Sequence, residues 1–408
     1  MKIDKRHLLN YSILIPYLIL SVVGLIIVYS TTSANQIQRG ANPFRPVISQ
    51  SAFWIVSLAA IFIIYRMRLS FLRSSQVVMG AIWVEIILLI ASRFFPTVNG
   101  AHGWITFGGL SLQPAEYLKL VIIWFLAHKF ARIQGDIRTY DYQALTKGHF
   151  LPHHFNDWRV VSVLLLGLVA SLPDLGNATI IGLEIIIMIT VSGIGFRWFS
   201  VALTGLVAGA GALLGTIAIF GVDVVSNIPG IGYVAKRFSA FFNPFEDVTN
   251  AGHQLANSYY AMSNGGWLGL GLGNSIEKNG YLPEAHTDFA FSIVIEELGL
   301  IGASLILAIL FFLILRIIVV GIRARNTFNS MMALGIAGML LIQTFVNVGG
   351  ISGLIPATGV TFPFLSQGGS SLLIISIGIA FVLNIDANEK REILREEIER
   401  TAFDAEKE

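Results

Sequence analysis

Long apolar segments recur along the chain and alternate with shorter polar ones. A helix needs about 20 apolar residues to cross the hydrocarbon core of a bilayer. The apolar segments therefore predict ten transmembrane helices, at residues 11–30, 47–65, 75–92, 114–130, 159–172, 176–195, 198–221, 298–315, 330–348 and 370–385. The predicted fold class is an all-α polytopic membrane protein with one long extracellular loop between spans seven and eight.

The first apolar segment has two interpretations, a transmembrane helix or a secretory signal peptide, because residues 1–10 are polar and basic. A signal peptide has an apolar core of about 7–15 residues and ends at a small-residue cleavage site. Residues 11–28 are instead 18 positions without a charge, and the run continues into Tyr29-Ser30-Thr31-Thr32. We interpret the segment as a retained first transmembrane helix.

Basic residues concentrate on one side of the predicted bundle. With the N-terminus inside, 20 of the 27 Lys and Arg residues fall on inner segments and their flanks, 6 fall on outer segments, and Lys119 lies within a span. Cytoplasmic loops carry an excess of Lys and Arg, so both termini are predicted to be cytoplasmic. Residues 1–408 then form a single integral membrane domain. Its cytoplasmic segments are 1–10, 131–158 and 386–408, and its long extracellular loop is 222–297.

Composition supports a membrane protein and excludes several other classes. The chain is 54% hydrophobic and 13% charged, whereas soluble domains are roughly 25% charged. A net charge of +2 gives no polycationic surface for nucleic acid. Cysteine is absent, which excludes disulfides and thiolate nucleophiles. No P-loop and no His-Glu-x-x-His pattern occurs. No predicted cytoplasmic segment is large enough to bind a nucleotide sugar. If the protein is an enzyme, we therefore expect it to act at the outer face, on a membrane-borne substrate that carries its own leaving group.

Three outer segments, 93–113, 222–297 and 349–369, are rich in Gly, Pro and polar residues. The longest exceeds ordinary connection lengths, which points to function or disorder. Its many Phe, Tyr and Trp residues favour a loop that packs on the bundle and shapes a site. The inner loop 131–158 contains His149, His153 and His154, which we interpret as solvated histidines because a zinc site needs a fuller ligand set.

Glu116 and Lys119 open the fourth span, directly after Gln113 and Pro114. Residues three apart share a helix face, so the two side chains are predicted to pair. Charged residues within a span usually face a bundle interior or a water-filled cavity. A functional pair and a structural ion pair between helices both remain open. Glu85 and Glu184 are isolated acids within spans, for which no catalytic role is expected.

The segment Leu282-Pro283-Glu284-Ala285-His286-Thr287-Asp288-Phe289 leads from the outer loop into the eighth span. An acid at such a boundary is either a general base or a helix cap, and spacing alone does not choose between them. A protease triad is excluded, because neighbours in sequence do not aim at one another and no Gly-x-Ser-x-Gly elbow exists. Glu296 and Glu297 are predicted to anchor the eighth helix at the membrane interface.

Six ordered motifs resemble those of the SEDS family of bacterial cell-wall polymerases (shape, elongation, division, sporulation). They are Asn99-Gly100-Ala101 with Trp104-Ile105, Gln113-Pro114-Ala115-Glu116 with Lys119, Pro173-Asp174-Leu175-Gly176-Asn177-Ala178, Arg237 with Phe241 and Pro244, Pro283 to Phe289 with Glu296-Glu297-Leu298-Gly299, and Gly353 to Gly359 with Pro363 to Ser370. The resemblance covers nearly the whole chain. Its Pro-Glu-Ala-His-Thr-Asp-Phe segment is more similar to the division branch of the family than to the elongation branch.

The resemblance implies a peptidoglycan glycosyltransferase that polymerises lipid II at the outer face of the cytoplasmic membrane during septal synthesis. It implies an essential acid in the long loop, which corresponds to Asp288. It also implies a class B penicillin-binding protein, a transpeptidase, as partner, together with other division proteins. The substrate-binding residues it indicates are Lys119, Glu116, Arg237, His286, Ser366 and Gln367.

Two positions depart from the usual family pattern. Gly103 stands where many relatives have Arg, and His253 stands where Tyr is common. The first departure removes one candidate contact to pyrophosphate and shifts the expectation to Lys119 and Arg237. A divalent cation, Mg²⁺ or Mn²⁺, would be held largely by the pyrophosphate and one carboxylate, because the sequence shows no dedicated metal cage. The sequence leaves two alternative functions open, a lipid II flippase and a structural scaffold of the division machinery.

Overall fold

The computed structural model describes residues 5–96, 103–107, 110–146, 157–172, 174–195 and 252–405, with isolated positions between 200 and 245. Its helices are Tyr11–Gln38 (α1), Arg45–Arg66 (α2), Leu69–Leu72 (α3), Ser75–Ser92 (α4), Pro114–Arg132 (α5), Gln134–Tyr140 (α6), Tyr142–Thr146 (α7), Trp158–Ala170 (α8), Leu175–Val191 (α9), His253–Gly265 (α10), Ala290–Arg323 (α11), Thr327–Ile351 (α12) and Gly369–Ala405 (α13). Short 3₁₀ helices occupy Lys5–Leu8 and Glu277–Asn279.

Six of these helices, α1, α2, α4, α11, α12 and α13, are long and apolar enough to cross a membrane by length and composition. Nine of the ten predicted spans coincide with a described helix, with α5, α8 and α9 accounting for the fourth, fifth and sixth. The predicted seventh span, 198–221, is described only at isolated positions. The prediction of an all-α polytopic membrane fold is confirmed.

The element boundaries follow local sequence. Pro114 occupies the first turn of α5, where its missing N–H costs no intrahelical bond. The Asp174 side chain accepts from the Asn177 amide at 3.1 Å and caps α9. The Asn326 side chain accepts from the Phe328 amide at 3.1 Å and caps α12. A hairpin of two strands, Ile105–Phe107 (β1) and Leu110–Leu112 (β2), precedes α5, with Ile105 opposite Leu112.

Helix α5 lies at the centre of the bundle and contacts α4, α8, α9, α12 and α13. Its Phe125 and Phe130 rings are fully buried. On the outward faces of α2 and α11, side chains such as Ile63 and Leu305 are exposed. Helices that are apolar on their outward faces as well as their inward ones are typical of membrane spans, so the arrangement matches a multi-pass membrane protein.

Two boundaries differ from the sequence-based ones. Helix α11 begins at Ala290, whereas the predicted loop extended to 297. Helix α13 continues without interruption through the predicted tail to Ala405, and its side chains are exposed from Glu392 onward. The tail is therefore a solvated extension of the last helix over its described part.

Helix α11 is interrupted at Gly299, where φ is +70° and ψ is 177°. The backbone groups released there pair with the preceding outer loop, from Leu270 to Glu296 at 2.9 Å and from Leu300 to Gly266 at 2.9 Å. Added methyl groups at Gly265, Gly269 or Gly299 would overlap backbone atoms of the partner segment. Close backbone contact at these glycines satisfies groups that lipid could not satisfy. The first part of α11 is thus joined to the outer loop.

Candidate functional site

The outer ends of several helices are joined by polar contacts. The Gln113 amide donates to the Ser370 hydroxyl at 3.1 Å, and that hydroxyl donates to the Ser111 carbonyl at 3.3 Å. The Gln113 side chain donates to the Asp174 carboxylate at 2.9 Å. These contacts bring together the end of the β1–β2 hairpin and the starts of α5, α9 and α13.

The segment 353–359 closes over the start of α9. A methyl group at Gly176 would overlap the Thr358 carbonyl oxygen, so only glycine permits this approach. From the other side, the Tyr259 ring of α10 lies against Gly353, where φ is +71°. Motifs far apart in sequence therefore meet at one end of the bundle.

Asp288 lies in a segment whose backbone is held from outside. Three consecutive carbonyls, at positions 286–288, each accept a hydrogen bond from another element. The bonds run from the Gln367 amide to His286 (2.8 Å), from the Ser366 hydroxyl to Thr287 (2.6 Å) and from the Asn347 side chain to Asp288 (2.7 Å). The segment just before α13 and the C-terminal part of α12 thus fix the backbone from which the Asp288 side chain projects.

A tight turn completes the support of this segment. Glu284 has a φ of +55°, and its carbonyl accepts from the Thr287 amide at 3.1 Å. The Thr287 hydroxyl donates to the Glu284 carboxylate at 2.7 Å. The cap position of α11 is Phe289, so half-buried Asp288 precedes the position at which a helix-capping side chain acts. This placement weighs against the helix-cap interpretation of Asp288.

Ser366 is engaged by backbone on both sides. Its hydroxyl donates to Thr287 and accepts from the Phe362 amide at 2.8 Å. The Phe362 ring stacks on the Phe291 ring with centroids 4.4 Å apart. Ser366 and Gln367 therefore position the Asp288 segment, and their predicted contact with substrate stays a prediction.

His286 lies beside Glu284 and Arg39 at the outer end of α1. Burial lowers the pKa of His286, Arg39 lowers that pKa further, and Glu284 opposes both effects. Because the ordinary histidine pKa is about 6.5, the ring is neutral at neutral pH and offers one hydrogen-bond donor and one acceptor. Arg39 brings a cation to this region, whereas Arg237, predicted to contact pyrophosphate, falls outside the described residues.

Lys119 and Glu116 form the predicted ion pair, with Nζ and Oε2 separated by 2.7 Å. The Lys119 side chain is 0% exposed and that of Glu116 is 5% exposed. Glu184 on α9 is near enough to interact electrostatically with both. Among the described residues no hydrogen-bond partner reaches either Glu184 carboxylate oxygen. The pairing is confirmed, and its role toward substrate stays a prediction.

Glu296 and Glu297 are buried within the protein, so the prediction that they anchor α11 at the membrane interface is wrong. Glu297 pairs with Lys278 at 2.6 Å and accepts from the Ser30 hydroxyl at 2.6 Å. Glu296 accepts from the Ser275 hydroxyl and from the Ile276 amide at 3.1 Å. A buried charge requires partners, and here the outer loop supplies them. The two acids connect α11, the loop and α1.

Sequence reasoning missed two buried amides. The Asn347 side chain donates to Val360 at 2.6 Å in addition to Asp288. The Gln50 side chain on α2 accepts from the Gly368 amide at 3.3 Å. The available signal for Asn347 was its position within 60 residues, 326–385, that contain no charged side chain. A buried amide in such a run must find hydrogen-bond partners.

Metal ligands are not gathered in the part of the chain that the structure describes. No group of three or more His, Asp or Glu side chains there could hold an ion. His149, His153 and His154 lie outside the described residues. The expectation of a divalent cation held by pyrophosphate and one carboxylate stays a prediction.

Comparison with known proteins places these features in a family. A family described as "Cell cycle protein", which covers FtsW, RodA and SpoVE, matches residues 11–391. The probable peptidoglycan glycosyltransferase FtsW of Lactococcus lactis is 52% identical over 96% of this chain and 95% of that relative. The corresponding protein of Bacillus subtilis is 36% identical over 92% of this chain and 90% of that relative.

Solved structures share the fold at lower identity. A chain from a study entitled "Structural coordination of polymerization and crosslinking by a peptidoglycan synthase complex" matches with a TM-score of 0.70 at 23% identity, covering 93% of this chain and 98% of that chain. The rod shape determining protein RodA of Thermus thermophilus matches with a TM-score of 0.63 at 21% identity, covering 93% and 97%. With matching motifs, length and fold, this chain belongs to the FtsW/RodA/SpoVE family of cell cycle proteins, the SEDS family that its motifs resemble.

Proposed function

We propose that this protein is a peptidoglycan glycosyltransferase that polymerises lipid II into β-1,4-linked glycan strands at the outer face of the cytoplasmic membrane. The observation that carries the proposal is the set of three hydrogen bonds to the backbone carbonyls of residues 286–288. These bonds hold Asp288 where the outer segments converge. The Lactococcus lactis relative, named a probable peptidoglycan glycosyltransferase, supports it at 52% identity.

In the proposed reaction, the C4 hydroxyl of one lipid II sugar attacks the anomeric carbon of the growing strand's lipid-linked sugar. Asp288 takes the hydroxyl proton, undecaprenyl pyrophosphate leaves, and the anomeric carbon inverts. A positioned general base contributes about 10²–10⁴-fold, and only if it stays within hydrogen-bond reach of the attacking hydroxyl. Fixing three consecutive carbonyls around Asp288 supplies this positional restraint.

Charge on the departing pyrophosphate requires cations or donors nearby. Lys119, held by Glu116, and Arg237 are the proposed contacts, and His286 is proposed to hydrogen-bond substrate as a neutral ring. Arg39 lies close enough to His286 to affect its pKa, which supports a cationic environment at this end of the bundle. Mg²⁺ or Mn²⁺ bound to the pyrophosphate would add positive charge in the same place.

The proposed orientation places both termini in the cytoplasm and Asp288 outside. Septal wall synthesis is the proposed setting, supported by the similarity to relatives named FtsW. A class B penicillin-binding protein is the proposed partner. The solved complex that shares the fold is described as coordinating polymerisation and crosslinking, which supports a crosslinking partner for this chain.

The test is polymerisation of labelled lipid II by purified Asp288→Asn protein, with and without the transpeptidase. Asparagine keeps the shape of aspartate and does not accept the proton, so we expect at least a ~100-fold loss with folding and transpeptidase binding intact. Glu284→Gln, four residues before Asp288, is the matched control. Its amide oxygen still accepts from the Thr287 hydroxyl, so the turn is kept and the variant should retain most activity. Retained polymerisation in folded Asp288→Asn protein would remove Asp288 from the mechanism.

The same variant separates the two alternative functions. A lipid II flippase predicts that Asp288→Asn also stops transport of lipid II across vesicles, whereas the polymerase proposal predicts no such effect. A structural scaffold predicts that neither activity exists in the wild-type protein and that the acids of the motifs are dispensable for division.

A further inference from the structure

A polar cavity lies at the end of the bundle opposite to Asp288. It has a volume of about 220 Å³ and is lined by Arg73, His128, Ala131, Arg132, Asn326, Thr327 and Phe328. Helix α5 connects the two regions, since Pro114 begins it near Asp174 and Arg132 ends it at this cavity. The cavity is smaller than the ~300–1,000 Å³ of sites for whole drug-sized ligands. Its size suits the head of a molecule whose remainder lies outside.

Two guanidinium groups, those of Arg73 and Arg132, line this cavity. Within the described ranges neither Arg73 nor Arg132 forms an ion pair with a carboxylate. The Arg73 guanidinium lies 5.9 Å from the centre of the Phe328 ring, and its Nε has no hydrogen-bond acceptor among the described residues. The Arg73 Nε–H is therefore a hydrogen-bond donor beside the cavity that has no acceptor among the described residues.

Two acids on α13, Glu389 and Glu392, act electrostatically on Arg73. Glu389 is already engaged, because its carboxylate accepts from the Arg325 amide at 3.0 Å and from the Asn329 side chain at 2.6 Å. Glu392 is exposed to solvent. Neither acid fills the cavity, so its lining keeps a positive balance.

His128 supplies an independent indication of a ligand. Its side chain is 4% exposed, and its Nε2 has no hydrogen-bond partner in the part of the chain that the structure describes. The ring lies beside the Arg73 backbone. In the imidazolium form Nε2 is a hydrogen-bond donor. An anion between two arginines is the ligand that favours this form, and a buried polar atom without a partner is uncommon in a native structure.

The start of α12 completes the cavity wall. Asn326 caps the amides of Phe328 and Asn329, so the helix contributes its dipole rather than free N–H groups. The positive end of a helix dipole favours an anion. Arginine is the side chain best suited to phosphate, because its planar fork gives two parallel hydrogen bonds.

We propose that this cavity binds the phosphate group of a phosphate-bearing anion, held by Arg73, Arg132 and His128 at the start of α12. The three span ends that surround it, the start of α4, the end of α5 and the start of α12, place it at the membrane boundary. Basic pockets between transmembrane helices on the cytoplasmic side bind anionic lipid head groups. The same chemistry would accept a soluble phosphate, and experiment distinguishes the two sources.

The test uses native mass spectrometry of the purified full chain with added phosphatidylglycerol or phosphatidylcholine. We expect wild-type protein to retain one tightly bound phosphatidylglycerol, and Arg132→Gln to weaken it about fivefold, the contribution of one cation beside an anionic lipid. Arg68→Gln is the matched control. It removes the same charge from the same end of the bundle, is exposed and does not line the cavity.

A second arm measures melting temperature with inorganic phosphate or pyrophosphate in place of lipid. A rise that Arg132→Gln abolishes and Arg68→Gln retains supports the site with a soluble anion as its source. The exposed position of Arg132 makes folding of its variant testable directly by the unliganded melting temperature, and Arg73→Gln serves as a second variant. The proposal would be overturned if Arg132→Gln and Arg68→Gln weakened binding equally. It would also be overturned if neither Arg132→Gln nor Arg73→Gln changed binding in either arm. Lipid II takes no part in these readouts, so they are independent of the proposed function.

Discussion

At the residue scale, the candidate catalytic acid is defined by what holds its backbone. The carbonyl of Asp288 and the two carbonyls before it are bound by Asn347, Ser366 and Gln367. Each neutral bond adds only about 0.5–1.5 kcal/mol to stability, which is small beside the effect of misplacing a catalytic group. A 1 Å displacement can cost about 100-fold in rate. The contacts from the Asn347 and Ser366 side chains and the Gln367 backbone amide are therefore expected to affect the reaction rate more than the stability of the fold.

The Lys119–Glu116 pair is the second residue-scale feature, and one prediction separates its two interpretations. Lys119→Met leaves Glu116 buried without its cation, which costs about 3–5 kcal/mol. We expect lower melting temperature and lost lipid II polymerisation, with protein still in the membrane. The double variant Glu116→Gln with Lys119→Met leaves neither member of the pair charged, so it should recover much of the stability.

Polymerisation by the double variant is the deciding measurement. A role for Lys119 in binding the pyrophosphate predicts that activity stays lost although stability returns. A purely structural ion pair predicts that both return together. Wild-type activity in the folded double variant would show that the charge is not needed for the reaction.

At the scale of elements, the interruption of α11 is the feature that joins the outer loop to the bundle. The loop bonds to the backbone released around Gly299, and Lys278 in the same loop pairs with Glu297 just before it. Asp288 lies two residues before the first residue of this helix. The geometry of the break therefore sets the position of the first part of α11, and of Asp288 ahead of it, relative to the rest of the helix.

Gly299→Ala tests whether this break is required. A non-glycine residue at φ +70° and ψ 177° is strained by about 1–3 kcal/mol, and its methyl group would overlap the Gly269 amide and the Trp267 carbonyl. We expect a clear fall in melting temperature by size-exclusion fluorescence of heated protein. The control is Gly182→Ala on α9, where no described residue beyond its own helical turns lies within 4 Å of the added methyl group. Equal melting of the two variants would show that α11 tolerates a continuous helix.

At the scale of the whole molecule, the chain places two polar regions at opposite ends of a buried bundle. The region around Asp288 gathers the Gly- and Pro-rich segments, whereas the cavity at Arg73 and Arg132 gathers basic residues at span ends. This asymmetry is what the distribution of basic residues predicts for a protein with a fixed orientation in the membrane.

Insertion of tags tests that orientation. A tag placed near Asn250 should be reachable by an impermeant reagent on intact cells, because it lies in the predicted extracellular loop 222–297. A tag after Glu408 should be reachable only after permeabilisation, because 386–408 is predicted to be cytoplasmic. Labelling of both tags on the same side of the membrane would contradict the ten-span arrangement.

Much of the fold was predictable because its signals are local. Residues 11–30 form a helix since an apolar run must satisfy its own backbone in lipid, and the same reason applies to the other spans that the structure describes. The Glu116–Lys119 contact follows from a spacing of three on one helix. The motif that contains Asp288 was visible as a polar segment at the edge of a span. The amino-acid sequence by itself determined these features, because each depends on residues within a few turns of one another.

The remaining features depend on distant parts of the chain and were decided only by tertiary structure. Ser366 and Thr287 are 79 positions apart, and no local pattern shows that they bond. Glu296 and Glu297 look like interfacial acids until Ser275 and Lys278 are seen to cover them. The helix break at Gly299 is stable only because the outer loop binds its free backbone groups. In each case a polar group's environment is set by which helices pack beside it, and that packing is a property of the whole bundle.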